Sequence, residues 1–281
     1  MSMSDYTTHI KSKTGLFEID IKELLRYKDL AFLFFKRNYT TRYKQTILGP
    51  LWLVLNPLIT VLLYAFIFGK IAGLSTVGVP HLLFYLCSNS IWAFFATCIT
   101  ETANTFTANS AIMGKVYFPR LIMPISSVLT GMMDLLIQVI MLTVAIVIYL
   151  VCGTSLHIGL SVLLVPVLII QVAMLGLGCG IIVAALTTKY RDLIILVGFG
   201  VQLWMYASPV VYTASLIPKD YQKLYFLNPM ASILTCWRSA ILGVEEYPWT
   251  SWGISWICTI VLLLIGILLF NKVEKVFMDT V

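Results

Sequence analysis

From residue 42 to residue 58 the chain reads RYKQTILGPLWLVLNPL. Basic and aromatic residues meet a Gly-Pro break and then enter an apolar run whose polar exception is Asn56. Basic residues stall at a cytoplasmic membrane face, whereas about 20 apolar residues in helical form cross the hydrocarbon core. Gly49 and Pro50 suit the bend between a helix lying on the membrane and one crossing it, because Pro is tolerated in a first helical turn. A chain with this feature is constrained to a helical membrane fold whose N-terminal side stays inside.

The rest of the chain repeats the pattern. Only 11% of the 281 residues are charged and 59% are hydrophobic, where soluble domains carry about 25% charge. One membrane domain with short loops fits that length. The net charge of +6 does not imply nucleic acid. All but Lys70, Lys219, Lys223 and Arg238 among the 19 Lys and Arg fall in segments assigned below to the cytoplasm, as the positive-inside rule requires. Among six cysteines there is no CxxC, and no metal spacing with the three histidines. Cys152 and Cys236 lie towards the outer face, and the sequence leaves their pairing open. The polar first forty residues do not resemble a cleavable signal peptide, so the first span is expected to act as the insertion signal.

The expected fold is an all-α integral membrane protein with six transmembrane helices and both termini cytoplasmic. Residues 1–46 form a cytoplasmic tail and an interfacial amphipathic helix, and residues 47–281 a six-span domain. Asp20 and Glu23 have capping-box spacing, opening a helix over 21–38 with Ile21, Leu24, Leu25, Phe32 and Phe35 on one face. Spans are expected at 47–68, 81–102, 125–151, 160–186, 193–211 and 249–270. The inner segment 103–124 and the tight loop 187–192 join spans on the cytoplasmic side. Segment 212–248 is apolar enough to imitate a seventh span. Asn228-Pro229 breaks it, however, and Arg238 at mid-bilayer would cost about 2.5–3.5 kcal/mol on insertion scales. Short helices re-entering the outer leaflet are expected there instead.

No phosphate-binding loop, dinucleotide fingerprint, HExxH or GxSxG elbow occurs, so any energy source for work lies in another chain. Asp134, mid-way along the third span, and Glu101, near the inner end of the second, are the intramembrane ionisable groups. For Asp134 two readings stand: a packed face where the carboxyl is protonated or bonded to a hydroxyl, and a role in gating or translocation. Glu101 is expected to reach water or a basic neighbour. Aromatics recur in the first span (Trp52, Tyr64), the second (Trp92, Phe94, Phe95) and the fifth (Phe199, Trp204, Tyr206). Those sharing faces with Asn56 and Gln202 are candidates to line a channel, because aromatic rings stack on the apolar faces of sugars.

Several motifs in order resemble the membrane subunits of type-2 ABC exporters, especially those for O-antigen, capsular or teichoic-acid chains. They are RNYTTRYKQTILGPLW (37–52), KVYFPRLIMP (115–124), YRDL (190–193), SPVVY (208–212), and LNPM (227–230) with RSAILG (238–243). The resemblance implies a gate helix with Arg37, Arg42, Tyr43 and Lys44 at the membrane boundary. It implies coupling to an ATPase through Asn109, Ile112, Met113, Lys115 and Val116, with Tyr190, Arg191 and Asp192 as a second contact. Segment 212–248, with Asn228, Pro229 and Arg238, would close the exit. First and fifth spans of two copies would line the conduit through Trp52, Asn56, Tyr64, Phe199, Gln202 and Tyr206. The partners implied are a second copy, two ATPase subunits, membrane lipids and a lipid-linked polysaccharide in a bacterial inner membrane. No cofactor is implied for this chain, since the partner binds ATP and Mg. The alternatives are a proton-coupled secondary transporter using Asp134 or Glu101, a permease for a small lipid or drug, and an enzyme acting on a lipid-linked sugar through Glu245-Glu246.

Overall fold

The computed structural model describes residues 21–44, 46–113, 118–154, 159–187, 190 and 192–277. Among these, the regular elements are all helical. Helices α1 (Ile21–Arg26) and α2 (Lys28–Tyr43) precede a 3₁₀ turn, Gly49–Leu51, that runs directly into α3 (Trp52–Tyr64). Gly49 has φ +49°, a backbone state that an L side chain resists. Pro50 then sets the turn. The α3 helix widens into a π-helical segment over Ala65–Ile71.

Next come α4 (His81–Ala103), α5 (Thr105–Met113), α6 (Ile122–Val151), α7 (Val165–Thr187), α8 (Leu193–Tyr206), α9 (Lys219–Tyr225), α10 (Pro229–Leu242) and α11 (Trp249–Phe277). Among the described residues, five helical segments are long and apolar enough to cross a membrane: Gly49–Ile71, His81–Ala103, Ile122–Val151, Leu160–Thr187 and Trp249–Lys272. The fifth expected span, 193–211, is shorter than the sequence suggests. Helix α8 ends at Tyr206 rather than 211, and at ~1.5 Å per residue it covers roughly 21 Å. It stops because Pro209 has no N–H to offer a continuing helix. Asn228 then engages the freed backbone, donating to the Ala207 carbonyl at 3.2 Å and the Ser208 hydroxyl at 2.9 Å.

Helix α4 is the hub, packed against α3, α6, α7, α8 and α10. Of its apolar stretch 78% is buried inside the subunit, against 6% for the first span. Helix α7 enters this hub through small residues. A Cβ on Gly176 or Gly180 would fall 2.5 Å from side chains of Cys98 or Thr102 on α4. On the other side, one on Gly178 would fall 2.8 Å from the Leu263 backbone of α11. Small residues let apolar helices approach this closely in a bilayer, where packing replaces the hydrophobic drive. A polar lock adds to it. Gln171 of α7 donates to Ser255 at 3.0 Å and accepts from Trp252 at 2.8 Å, and Ser255 donates to the Pro229 carbonyl at 3.0 Å.

A second core sits where α2 crosses the ends of other helices. Ala31 and Phe34 bury against Phe118, Ile122, Met123, Ile181, Ala184 and Phe270. The expected single amphipathic face therefore divides in two. Leu24 packs towards this core, while Leu25 and Phe32 remain exposed. The expected helix over 21–38 breaks at Tyr27 and runs on to Tyr43. Asp20 of the expected capping box lies outside the described residues.

Candidate functional site

The site is built where α2 ends against α4 and α6. Arg42, in the last turn of α2, reaches two carboxylates that are far apart in the chain. Its Nη2 donates to Glu101 Oε1 at 2.7 Å and its Nη1 to Asp134 Oδ2 at 2.6 Å. The planar fork of a guanidinium suits such a bridge, which a Lys ammonium would not reproduce. Neither sequence reading of Asp134, a hydroxyl-bonded packing group among them, anticipated Arg42 as its partner. Glu101 does find a basic neighbour, and it is the same one. The Glu101 arm is half-exposed, so it contributes only about 0.2–1 kcal/mol to stability. Its consequence is positional: one side chain holds three helices in register. Tyr39, one turn earlier, has its phenol raised above the ordinary range by burial first and by the Asp134 charge second, with Arg42 pulling the other way.

Five residues before Arg42, Arg37 ties α2 to α5. Its Nη2 donates to Asn109 Oδ1 at 2.6 Å, and its guanidinium lies 4.9 Å above the Phe34 ring. Asn109 in turn donates to the Thr105 carbonyl at 3.0 Å. Ile112 is partly buried against the inner core. Lys115, Val116 and Arg191 lie outside the described residues, as do the side chains of Tyr43 and Met113. Lys44, Tyr190 and Asp192 are exposed.

Below Arg42 a cleft of about 460 Å³ opens between α3, α4 and α6. Trp52, Asn56 and Thr60 line it from α3, Asn89 from α4, and Asp134 with Gln138 from α6. Sequence reasoning named Trp52, Asn56 and Asp134 but missed Thr60, Asn89 and Gln138. A signal for two of them existed: Asn56 with Thr60 and Asp134 with Gln138 are polar pairs four apart in apolar helices, and so share a face.

The other channel candidates sit differently. Tyr64 is half-buried and meets Met205 of α8, Oη to Sδ 3.3 Å, so α3 and α8 touch near their C-terminal ends. Phe199, Gln202 and Tyr206 are exposed on α8. Trp92, Phe94 and Phe95 are buried in the hub, and Phe95 meets Trp204 edge-on at 5.1 Å.

Towards the opposite end, Asn228 caps α10 by accepting from the Met230 N–H at 3.1 Å, and it also accepts from the Trp204 indole at 3.0 Å. Pro229 occupies the first turn. Arg238 is wholly buried. Its Nε donates to Glu245 at 2.7 Å, its Nη1 to the Ser88 hydroxyl at 3.2 Å and to the Pro209 carbonyl, and its guanidinium lies 4.9 Å from the Phe84 ring centre. Glu245 is thus committed to Arg238 while Glu246 is exposed, so the two do not face one site as paired catalytic carboxylates. Cys152 is exposed and Cys236 buried, both as free thiols.

Comparison with known proteins adds two findings. A family model described as "ABC-2 type transporter" matches residues 30–242. Two proteins of Klebsiella pneumoniae, each named O-antigen export system permease protein RfbA, are similar along most of the chain. One is 29% identical over 254 residues and the other 30% over 258, each alignment covering 89% of this chain and 94% of the relative. A Myxococcus xanthus protein of the same name is 27% identical over 222 residues, covering 78% of this chain and 82% of its own.

Proposed function

Because the chain belongs to the ABC-2 type transporter family, we propose that it is the conduit-forming subunit of an ATP-driven exporter that moves a lipid-linked, O-antigen-like polysaccharide across a bacterial inner membrane. The observation that carries the substrate class is the likeness, over about nine-tenths of the chain, to relatives named for O-antigen export. In this reading two copies assemble with two ATPase subunits, which bind ATP and Mg. Six crossings leave both termini in the cytoplasm, with α8 as the short fifth. The segments α9 and α10 re-enter from the outer face and close the exit.

The geometry suggests how motion would pass. Segment 103–124 would dock on the ATPase, and α5 within it is held to α2 by Arg37 and Asn109. Helix α2 is held to α4 and α6 by Arg42. Movement imposed on α5 is therefore delivered to the spans through two guanidinium contacts on one short helix. Helices α3 and α8 touch near their C-terminal ends, Tyr64 to Met205, and are largely uncovered, where a second copy would complete the conduit. By linkage, substrate should bias ATPase closure as much as nucleotide biases the conduit.

The first test is co-purification of the tagged chain from its own membranes. An ATPase chain in the eluate and loss of surface polysaccharide on gene deletion are expected; a chain recovered repeatedly without any ATPase would overturn the reading. The second is Arg42→Lys, which preserves charge but loses the fork. It should fold normally and weaken substrate-stimulated ATP hydrolysis about fivefold or more, the lower range of allosteric couplings.

A further inference from the structure

The cleft below Arg42 holds polar groups that neither helix packing nor the coupling path employs. Gln138 is 6% exposed, and its Oε1 accepts no hydrogen bond among the described residues. Asn89, also 6% exposed, faces the same space from α4. A membrane-embedded chain leaves a buried carboxamide oxygen such as Gln138 Oε1 without a partner only at a cost, so its place beside Asn89 on the wall of one cavity marks a site for a polar guest. At ~1.5 Å per residue, Thr60 lies about 16 Å beyond Gly49. The polar wall therefore reaches roughly halfway into a hydrocarbon core of about 30 Å.

The lining also selects the guest. Arg42 is already engaged by two carboxylates, leaving the mouth with one positive and two negative formal charges, a poor host for a phosphate or pyrophosphate. Carboxamides from Asn56, Asn89 and Gln138 can each donate and accept, matching hydroxyls that do both. Trp52 supplies an apolar ring at one side, suited to the CH face of a pyranose. The volume falls within the roughly 300–1,000 Å³ of small-molecule sites. The geometry points to a subsite for neutral sugar rings inside each subunit, between α3, α4 and α6 and open towards α2. The inference rests on the export function proposed above. It adds that the glycan is gripped within one subunit, by its neutral rings and not by its anionic lipid linkage.

Saturation-transfer NMR on the full-length chain in lipid nanodiscs tests this, with maltotriose, mannotriose and β-1,4-galactotriose as neutral probes and inorganic pyrophosphate as the anionic one. At least one trisaccharide should receive saturation, and Gln138→Met or Asn89→Leu should reduce it at least fivefold. Pyrophosphate should neither bind nor compete. Elution as a single species verifies each variant's fold, and either variant suffices if the other misfolds. Saturation of none of the three sugars, a signal untouched by the variants, or displacement by pyrophosphate would each overturn the subsite. Deletion of the gene separates the two failures. Lost surface polysaccharide with no saturation transfer sinks the subsite alone, whereas unchanged surface polysaccharide sinks the export reading itself.

Discussion

Arg238 shows how a costly residue is kept in an apolar chain. The sequence marks it as too expensive for a lipid-facing helix, and in the folded subunit no part of its side chain is exposed. Glu245 neutralises it from seven residues on, while Ser88 and the Phe84 ring come from the distant α4. Removing one member of such a buried pair strands the other charge, at a typical cost of about 3–5 kcal/mol. Glu245→Ala should therefore unfold at markedly lower denaturant concentration, while Glu246→Ala, at an exposed position, should stay within about 0.5 kcal/mol of wild type. Equal effects in the two variants, measured by denaturant titration in detergent, would remove Glu245 from this role. At this scale the identity of the unusual residues was legible: Arg42 and Glu101 stand out as charges at the edges of apolar runs, Asp134 and Arg238 as charges within them. Their pairing was not. Arg42 and Asp134 are 92 positions apart, and no local period reports which charge a fold will bring to which.

Helices were the most legible level, because a span's hydropathy is a local property and its flanking charges set its ends. What escaped was decided by neighbours. The sequence pattern assigns α2 a single apolar face for the headgroup layer, yet Phe34 turns inward to Phe118 at a centroid distance of 5.6 Å. Hydropathy extends α8 to 211, yet Asn228 collects its end at Ala207 and Ser208. The small residues of α7 carry a sharper prediction. Gly178→Ala would place a methyl 2.8 Å from the α11 backbone, which cannot swing aside as a side chain would. Forcing two packed helices apart costs about 1–3 kcal/mol, so this variant should lose stability. Gly198→Ala on α8, with nothing within 4 Å, should fold as well as wild type or gain up to about 1 kcal/mol of helix propensity. Thermal unfolding of the two in the same detergent decides it. In helix α9, burial and then the hydrogen bond to Tyr212 raise the Tyr225 phenol above its ordinary range. The folded state keeps that proton after the unfolded chain has lost it, so stability is full below about pH 10 and falls as pH rises further. Tyr225→Phe should flatten the alkaline limb of Tm against pH; an unchanged slope would assign the loss to other groups.

For the whole molecule, the unequal burial of its helices is the informative quantity. An exposed Leu or Ile on a membrane helix needs no explanation, since lipid covers it, so the bare apolar faces of α3 and α8 do not by themselves define an assembly. The polar residues among them do more. Gln202 is exposed on α8 between Phe199 and Tyr206, and an amide facing hydrocarbon would forgo hydrogen bonds available in water or against another helix. Gly198, one turn before it on the same face, leaves space that no other element among the described residues enters within 4 Å. A polar and a small residue on one face are what close helix association in a bilayer uses; Gln202 stands out in the sequence, whereas the open space at Gly198 shows only in the folded subunit. If two copies meet around α8, cysteines at Phe199→Cys and Gln202→Cys should be joined between subunits by a short bifunctional maleimide in native membranes. Both would sit near a symmetry axis relating identical faces. Ile148→Cys, equally exposed but on α6, should remain monomeric under the same treatment and so controls for random collision. Dimer bands at positions 199 and 202 but not 148, on a denaturing gel, are the expected result. Equal cross-linking at all three sites would show that lipid covers α8, and a conduit between copies would have to be built from another face.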